Sequence, residues 1–307
     1  MRSALIVVIA SVIGPLALSE PSRVQDSPLP SGRGLGAELE SRPSETPHPG
    51  VIFSEDFESA QYAESWDEVR DQSKDVLSRV RLEGSDPTFG YSLKVAARLG
   101  RNTGGGLTKW FPSAEQLFIR FYSRFDQKCD YVHHFVTLRA NKSLIGKDRW
   151  SGFGGAGLRP NGQDRFSTAL EPWGNWGGWA APGQWNFYSY WHEMVKSPDG
   201  KYWGNSFRLE NQPNIEKDEW ICLEFMLRHN TPGEANGEQA FWVDGRLIGH
   251  WEGFNWRQSA TLMANALTLE SYVTDRWTKN KENVVYFDNL VIARQYVGPI
   301  AHLEGGD

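Results

Sequence analysis

The sequence predicts an all-β domain made of two antiparallel sheets packed face to face. Most segments after residue 50 alternate apolar and polar residues with a period of two, which is the pattern of a half-buried strand. Gly, Pro and Asn, the usual turn residues, separate these segments. Helical spacing is confined to one short stretch, residues 59–71. Many short strands joined by such turns are typical of a β-sandwich.

Five stretches carry the clearest strand pattern. They are residues 117–125, 185–192, 220–230, 238–249 and 284–294. In the first three, apolar side chains at every second position would face the core, and the residues between them would face outward. The fourth contains Asp244-Gly245, which predicts a hairpin with a type I′ turn. The last is rich in Val, Ile and Tyr, the residues that favour strands.

The chain of 307 residues divides into four parts. They are a signal peptide at 1–19, a disordered linker at 20–50, a β domain at 51–300 and a flexible tail at 301–307. The signal peptide follows from Arg2, the apolar run after it and the small residues that end it. The linker follows from its content of Pro, Ser and Gly. We therefore expect a secreted or periplasmic protein with no membrane segment beyond the signal peptide; an uncleaved membrane anchor is the alternative.

The composition excludes several classes of protein. The chain carries 32 Lys and Arg against 38 Asp and Glu, a net charge of −6 with no basic run, so we expect no nucleic-acid binding. Aromatic residues make up 13%, too many for a disordered chain. Cys129 and Cys222 are too few for a disulfide-rich scaffold, and whether they pair stays open at this point. We expect a monomer.

The outward faces of three predicted strands carry aromatic, basic and amide groups. These residues are Arg120, Tyr122, Arg124, Tyr188, Tyr190, His192, Glu224, Arg228 and Asn230. If the three strands are neighbours in one sheet, the side chains form a concave surface suited to a polysaccharide, because sugars stack on aromatic rings and pair their hydroxyls with planar polar groups. The alternative is that Arg and Tyr only cover a sheet face with their apolar stems.

These residue types favour β-elimination over hydrolysis. Hydrolysis needs two carboxylates facing one cleft, and Glu224 has no acidic partner two residues away. β-Elimination on a uronic acid needs a group that neutralises the substrate carboxylate, a base for the ring proton beside it and an acid for the leaving oxygen. Arg, Asn or Gln suits the first role, His, Lys or Tyr the second, and Tyr the third. Basic groups in the groove would also attract an anionic polymer.

Two adjacent histidines are candidates for the base. Alternation within 132–139 groups His134 with core residues and leaves His133 for the groove, an assignment that a bulge would reverse. The alternative is a structural role for both. Adjacent strand residues point to opposite faces, so we do not expect them to share a metal ion.

Several motifs resemble those of the concanavalin A-like jelly-roll polysaccharide lyases, the alginate and glucuronan lyase group. They are the strand 117–125, Arg159-Pro160-Asn161-Gly162, Tyr188-Ser189-Tyr190, Asn230-Thr231-Pro232-Gly233 and Trp242-Val243-Asp244-Gly245. The resemblance covers residues 51–299 in patches and implies a two-sheet jelly roll of the lectin and glucanase type. It also implies an acid and base role for Tyr188 and Tyr190.

The chain departs from that group at two points. The lyases can carry a Ser-x-Arg pair and a Lys in the groove, whereas residues 153–155 are Phe-Gly-Gly here, and His133 or His134 would fill the lysine position. A loop-type insertion contains Trp173, Trp176, Trp179 and Trp185 among glycines. We expect this insertion to form a groove rim that stacks sugars, with a structural plug as the alternative.

A structural calcium ion is a further expectation, although the reaction itself would require no cofactor. The first strand ends in acidic residues that include Asp56, and the last strand contains Asp288. In jelly rolls of this superfamily the first and last strands often lie together, and calcium prefers oxygen ligands. The alternative is charged protection of a sheet edge.

These expectations combine into a secreted polysaccharide lyase that cleaves a uronate-containing polysaccharide. The predicted catalytic residues are His133, His134, Tyr188 and Tyr190. The predicted substrate-binding residues are Arg120, Tyr122, Arg124, Arg159, His192, Glu224 and Arg228. The main alternative is a non-catalytic carbohydrate-binding module or lectin on the same fold; a glycoside hydrolase and a structural surface protein are weaker ones.

Overall fold

The structure of the chain is a computed structural model that describes residues 32–33, 50–70, 75–82 and 89–300. The predicted signal peptide, most of the predicted linker and the predicted tail lie outside the described residues. Within the predicted linker, Gly32–Arg33 forms a short strand that pairs with Trp251 and His250. No helix among the described residues has the length and apolar character needed to cross a membrane.

Strands dominate the described part of the chain, which confirms the all-β prediction. They are β1 (Gly32–Arg33), β2 (Val51–Glu55), β3 (Glu68–Arg70), β4 (Leu77–Val80), β5 (Ser92–Arg98), β6 (Gly104–Trp110), β7 (Gln116–Phe125), β8 (Val136–Asn141), β9 (Arg165–Trp173), β10 (Gln184–Tyr190), β11 (Asn205–Phe207), β12 (Ile221–Arg228), β13 (Gly237–Val243), β14 (Arg246–Phe254), β15 (Met263–Tyr272) and β16 (Glu282–Ala293). The described residues also form three short 3₁₀ turns, at Tyr62–Ser65, Gly146–Trp150 and Asn175–Gly177. The stretch with helical spacing thus forms one such turn followed by β3.

Two antiparallel sheets form the predicted sandwich. The nine-stranded sheet has the order β1-β14-β13-β12-β7-β16-β5-β4, with β2 also paired to β16. The seven-stranded sheet has the order β11-β10-β9-β8-β15-β6-β3. The hairpin between β13 and β14 turns at Asp244 and Gly245, whose φ angles of 49° and 76° are those of the predicted type I′ turn.

The core between the sheets is aromatic. Phe135, which precedes β8, lies at its centre and is fully buried. Its ring centroid is 4.7 Å from that of Phe287 and 5.5 Å from that of Phe125, with Phe121 and Trp185 also in contact. Side chains of this size each stabilise a fold by roughly 1.5–3 kcal/mol through burial alone.

Cys129 and Cys222 are separate, buried free thiols, so no disulfide links them. Cys129 packs in the main core, and Cys222 packs with Phe89 and Tyr122 in a small cluster. Burial raises the pKa of each thiol to about 12. The sandwich is therefore held by packing and hydrogen bonds.

Replacing Phe135 with alanine should lower the free energy of unfolding by about 3–5 kcal/mol, because the cavity would open at the centre of the aromatic core. Urea denaturation followed by tryptophan fluorescence would measure the loss. Ile145→Ala is the matched control, since Ile145 is 81% exposed and its replacement should change the free energy by about 0.5 kcal/mol or less. Equal losses in the two variants would contradict this description of the core.

Candidate active site

Polar side chains converge on the outer face of the seven-stranded sheet, the face that points away from the core. Strand alternation places them there, because the residues between them, such as Leu138, Leu170 and Leu269, are buried inside. The outer-face residues include Arg70 on β3, Arg139 on β8, Glu171 on β9, Asn186, Tyr188 and Tyr190 on β10, and Glu270 and Tyr272 on β15. His133 and His134 join them from the segment before β8.

Two arginines share one buried carboxylate at the centre of this face. Arg139 Nη2 lies 3.4 Å from Glu270 Oε1, and Arg70 pairs with Glu270 Oε2 from the neighbouring side. Burial alone would raise the pKa of Glu270, but Arg70 and Arg139 outweigh it and hold this pKa below its usual range. Two cations against one anion leave one net positive charge, and the Arg70 side chain is 61% exposed. An anionic ligand would be attracted to this centre.

Glu171 is a buried carboxyl group without a cationic partner in hydrogen-bonding range. Burial, with the nearby charge of Glu270, raises the pKa of Glu171 to about 8, so the group is largely neutral at pH 7. Its Oε2 atom has no hydrogen-bond partner among the described residues. Directly opposite on β10, the amide nitrogen and oxygen of Asn186 are also buried and unpaired in the same part of the chain. Such groups cost stability, which marks the pair as a functional candidate.

A bulge turns His134 to the outer face. Its φ of 46° is left-handed, and the next two residues, Phe135 and Val136, are both fully buried, which regular alternation does not allow. The prediction that His134 belongs to the core was therefore wrong. Its ring lies 5.0 Å from that of Tyr272, and its Nδ1 lies 3.8 Å from Glu171 Oε2, too far for a hydrogen bond.

Both histidines are neutral near pH 7. Burial lowers the pKa of His134, Arg139 and Arg70 lower it further, and Glu270 only partly opposes them. His133 faces Tyr272 in an isolated backbone bridge, and burial, with the charges of His134 and Arg276, lowers its pKa to about 4. The His134 side chain is 43% exposed, so a neutral imidazole is accessible next to the positive centre.

The tyrosine pair lies on β10 of the same face. The hydroxyl oxygens of Tyr188 and Tyr190 are 3.3 Å apart, and the two rings meet edge to face. Burial, with Tyr190 close by, raises the pKa of Tyr188, which therefore remains a proton donor. Gly204 is required beside this ring, because a Cβ there would lie 2.7 Å from Tyr188 Cε1. His133, His134, Tyr188 and Tyr190, the four predicted catalytic residues, thus share one face.

The strands predicted to line the groove beside Tyr190 belong instead to the other sheet. Arg120, Tyr122 and Arg124 are on β7, and Glu224 and Arg228 are on β12, its neighbour in the nine-stranded sheet. The expectation of one shared face was wrong, because the outward residues of both sheets are polar and alternation does not tell which sheet a strand joins.

This second polar surface binds the chain's own C-terminal segment and nearby acidic groups. Glu224 accepts hydrogen bonds from the backbone N–H groups of Val297 and Gly298, at 2.8 and 2.7 Å. The Tyr122 hydroxyl accepts one from the N–H of Ile300, also at 2.8 Å. Arg124 pairs with Asp218, and Arg228 pairs with Glu238.

Arg159 and His192 lie near the end of β10, away from the positive centre. The Arg159 guanidinium is 5.3 Å from the centre of the Tyr202 ring, and Arg159 is exposed. His192 follows β10, and burial lowers its pKa. Within the described residues, no hydrogen bond or ion pair joins either side chain to the Arg139–Glu270 group.

The predicted calcium ligands lie close in the fold, because β2 and β16 are paired. Asp288 is buried, accepts hydrogen bonds from the Ser92 hydroxyl and the Asn289 N–H, and has a pKa raised to about 7 by burial. Asp56 follows β2 and belongs with Asp288 to no group of three described His, Cys, Asp or Glu side chains close enough to share an ion. A calcium ion there would need backbone carbonyl ligands as well, and the site stays a prediction.

Sequence reasoning did not single out Arg70, Arg139, Glu171, Asn186, Glu270 or Tyr272. Each lies at an outward position of its strand. For Arg139, Glu171, Asn186 and Glu270, a charged or amide residue between buried ones was the available signal. A cavity of about 210 Å³ lies elsewhere, at the edge of the sandwich near Trp185, Ile215 and Trp220, and contains none of these residues.

The fold is similar to that of three solved polysaccharide lyases. An alginate lyase from a Chlorella virus superposes with a TM-score of 0.59 at 16% identity, covering 80% of this chain and 99% of the other. A marine alginate lyase from Aplysia kurodai also reaches 0.59, at 12% identity over 80% and 99% of the two chains. An endo-β-1,4-glucuronan lyase from the fungus Trichoderma reesei reaches 0.53, at 14% identity over 80% and 96%.

No protein-family model and no curated protein sequence matches the chain. The structural likeness, at identities of 12–16%, therefore concerns the fold. It confirms the resemblance that the turn and strand motifs indicated.

Glu171→Gln should make the protein more stable than the wild type as pH rises. The pKa of Glu171 is higher in the folded chain than in the unfolded chain, where it is about 4.3, so its contribution favours folding at low pH and is lost as pH rises towards 8. The stability difference between variant and wild type should grow between about pH 5 and pH 8 by up to about 1.4 kcal/mol per unit. Urea denaturation across this range would measure it.

Glu216→Gln, a change at an exposed glutamate, is the control and should leave the wild-type pH dependence in place. A pH dependence that is the same in Glu171→Gln and the wild type would show that Glu171 ionises normally.

Proposed function

We propose that this protein is a polysaccharide lyase that cleaves a uronate-containing polysaccharide by β-elimination on the outer face of the seven-stranded sheet. The observation that carries the proposal is a net positive pair of arginines beside an accessible neutral histidine and two tyrosine hydroxyls that lie 3.3 Å apart. β-Elimination needs these three kinds of group together. The lyase activity named for the three structural neighbours supports it.

The arginines act on the substrate carboxylate. Glu270 neutralises only one of the two charges, so Arg70 and Arg139 can together hold one further anion. A uronate carboxylate bound there loses much of its negative charge, which makes the proton on the neighbouring ring carbon easier to remove. Arg139 is 15% exposed and fixed by Glu270, whereas Arg70 is open to solvent.

His134 removes that proton, and the tyrosine pair supplies another to the leaving oxygen. His134 is suited to the first step because its lowered pKa leaves it unprotonated at neutral pH. The electrons of the broken C–H bond form a carbon–carbon double bond, the bond to the glycosidic oxygen breaks, and a tyrosine hydroxyl protonates that oxygen. Tyr190 gives this proton, and Tyr188, 3.3 Å away, orients its hydroxyl.

We further propose that the protein is an exported monomer that binds an anionic polysaccharide outside the cell or in the periplasm. The polysaccharide is the partner that the positive centre favours. Export rests on the sequence of residues 1–19.

A near-ultraviolet absorbance assay tests the proposal, because β-elimination creates an unsaturated uronyl product. The purified chain would be incubated separately with alginate, glucuronan, pectate, ulvan and glycosaminoglycans, with and without calcium. Absorbance should rise on at least one polymer, and Tyr190→Phe and His134→Gln should each lower kcat by about 10²–10⁴-fold. Glu216→Gln is the control and should retain wild-type activity.

The other readings predict different outcomes of the same assay. Binding to a polymer without product would indicate a lectin. New reducing ends without the chromophore would indicate a hydrolase. No binding and no product would overturn a carbohydrate function altogether.

The pH dependence of kcat/KM should be bell-shaped. Activity should fall on the acid side as His134 becomes protonated, below the usual histidine pKa of about 6.5, because its pKa is lowered. It should fall on the alkaline side near pH 8, where Glu171 ionises and repels the anionic substrate. In Glu171→Gln the alkaline fall should move to higher pH while the acid side stays. If kcat/KM of Glu171→Gln falls at the same alkaline pH as that of the wild type, the ionisation of Glu171 does not cause the fall.

A further inference from the structure

The segment between β9 and β10 carries a tryptophan that stays largely exposed to solvent. Trp176 is 57% exposed, among the most exposed large apolar side chains of the described residues. Trp185, at the other end of the same insertion, is buried in the core. The insertion therefore divides into a structural part and an exposed part.

The backbone at the exposed part is strained. Asn175 and Trp176 have φ angles of 47° and 57°, in the left-handed region that residues other than glycine rarely adopt. Asparagine tolerates this region better than most residues, but in a bulky residue such as Trp176 the conformation costs of order 1–3 kcal/mol and persists only where the surrounding structure holds it. An exposed Trp176 offsets little of this cost by burial, so the strain is not explained by stability.

Two neighbouring aromatic rings fix the position of Trp176. Its ring centroid lies 4.9 Å from that of Trp173, edge to face, and 4.7 Å from that of Trp277. The Arg276 guanidinium lies 4.8 Å from the Trp277 ring centre and 5.8 Å from that of Trp176. We call Trp176, Trp277 and Arg276 the tryptophan–arginine patch.

The positive charge of Arg276 is available to a ligand. It is exposed, and no carboxylate pairs with it within the described residues. Its guanidinium lies beside the Trp277 and Trp176 rings, and its N–H donors make no hydrogen bond within the described residues. A planar cation next to an exposed indole is suited to a sugar that carries a carboxylate, since the indole takes the ring and the guanidinium takes the anion.

The patch adjoins the candidate active site. Trp173 lies two residues after Glu171 on β9 and therefore on the same face. Arg276 is near enough to His133 for its charge to lower the pKa of that histidine. A polymer held at the positive centre would therefore pass close to Trp176.

We propose that the tryptophan–arginine patch is a substrate subsite that binds a uronate residue of the polymer beyond the residue that is cleaved. The sugar ring stacks on Trp176, and its carboxylate pairs with Arg276. This inference rests on the proposed lyase function and adds the binding of a longer chain, which requires substrates of several sugar units.

Trp176→Gly is the sharpest test, because glycine tolerates the left-handed backbone and the variant should fold at least as stably as Trp176→Ala. Calorimetry would compare binding of alginate and glucuronan disaccharides and hexasaccharides, in a Tyr190→Phe background that keeps them intact. Trp176→Gly should weaken hexasaccharide binding by about three- to tenfold and leave disaccharide binding unchanged. Trp176→Phe should restore most of the affinity, and Ile145→Ala should match the parent.

The variant Arg276→Gln tests the contribution of the Arg276 charge to binding separately from that of the Trp176 ring. It should weaken binding of the anionic hexasaccharide and leave unchanged the binding of the same hexasaccharide after reduction of its carboxyl groups. If the wild type cleaves a polymer but Trp176→Gly and Arg276→Gln bind the hexasaccharide as tightly as the parent, the subsite is overturned and the lyase function stands. If the wild type neither binds nor cleaves any polymer, the proposed lyase function is wrong, and the subsite that rests on it is wrong as well.

Discussion

The ion pairs that Glu270 makes with Arg139 and Arg70 are the interaction on which the outer face of the seven-stranded sheet depends. Glu270 anchors Arg139 and Arg70, and it adds to the burial that raises the pKa of Glu171. It also partly opposes the lowering of the His134 pKa. The Glu270 side chain is only 5% exposed, and burying an unpaired carboxylate would destabilise the fold. The ion pairs with the two arginines offset this loss of hydration free energy. One buried anion thereby holds two cations in place and favours the neutral form of Glu171.

The fold was predictable because its signals are local. Alternation in 117–125 and the Asp244-Gly245 turn each report a feature within one strand or one hairpin, and the structure contains both as predicted. The pairing of the first full strand, β2, with the last, β16, was also expected. The first two features do not depend on knowing which sheet a given strand joins, whereas the pairing of β2 with β16 was expected only from the resemblance to jelly-roll proteins.

The site was only half predictable, for the opposite reason. A strand motif led to the prediction that Tyr188 and Tyr190 belong to the site, and both lie on the candidate face. Arg120 and Glu224 were assigned to the same face although they lie in the other sheet. Alternation gives the direction of a side chain and not the sheet that carries it. His134 was misplaced because one left-handed residue shifts the alternation, and such a bulge has no signal in a single sequence.

The two free cysteines have a consequence for a chain predicted to be exported. Thiol oxidation and disulfide exchange proceed through the thiolate, and a pKa of about 12 makes that form very rare at neutral pH. Both sulfur atoms are also covered by the fold. Once folded, the protein should therefore stay reduced in an oxidising compartment, without cross-linking to other chains. The two thiols are open to oxidation and disulfide exchange mainly during folding, before the sandwich covers their side chains.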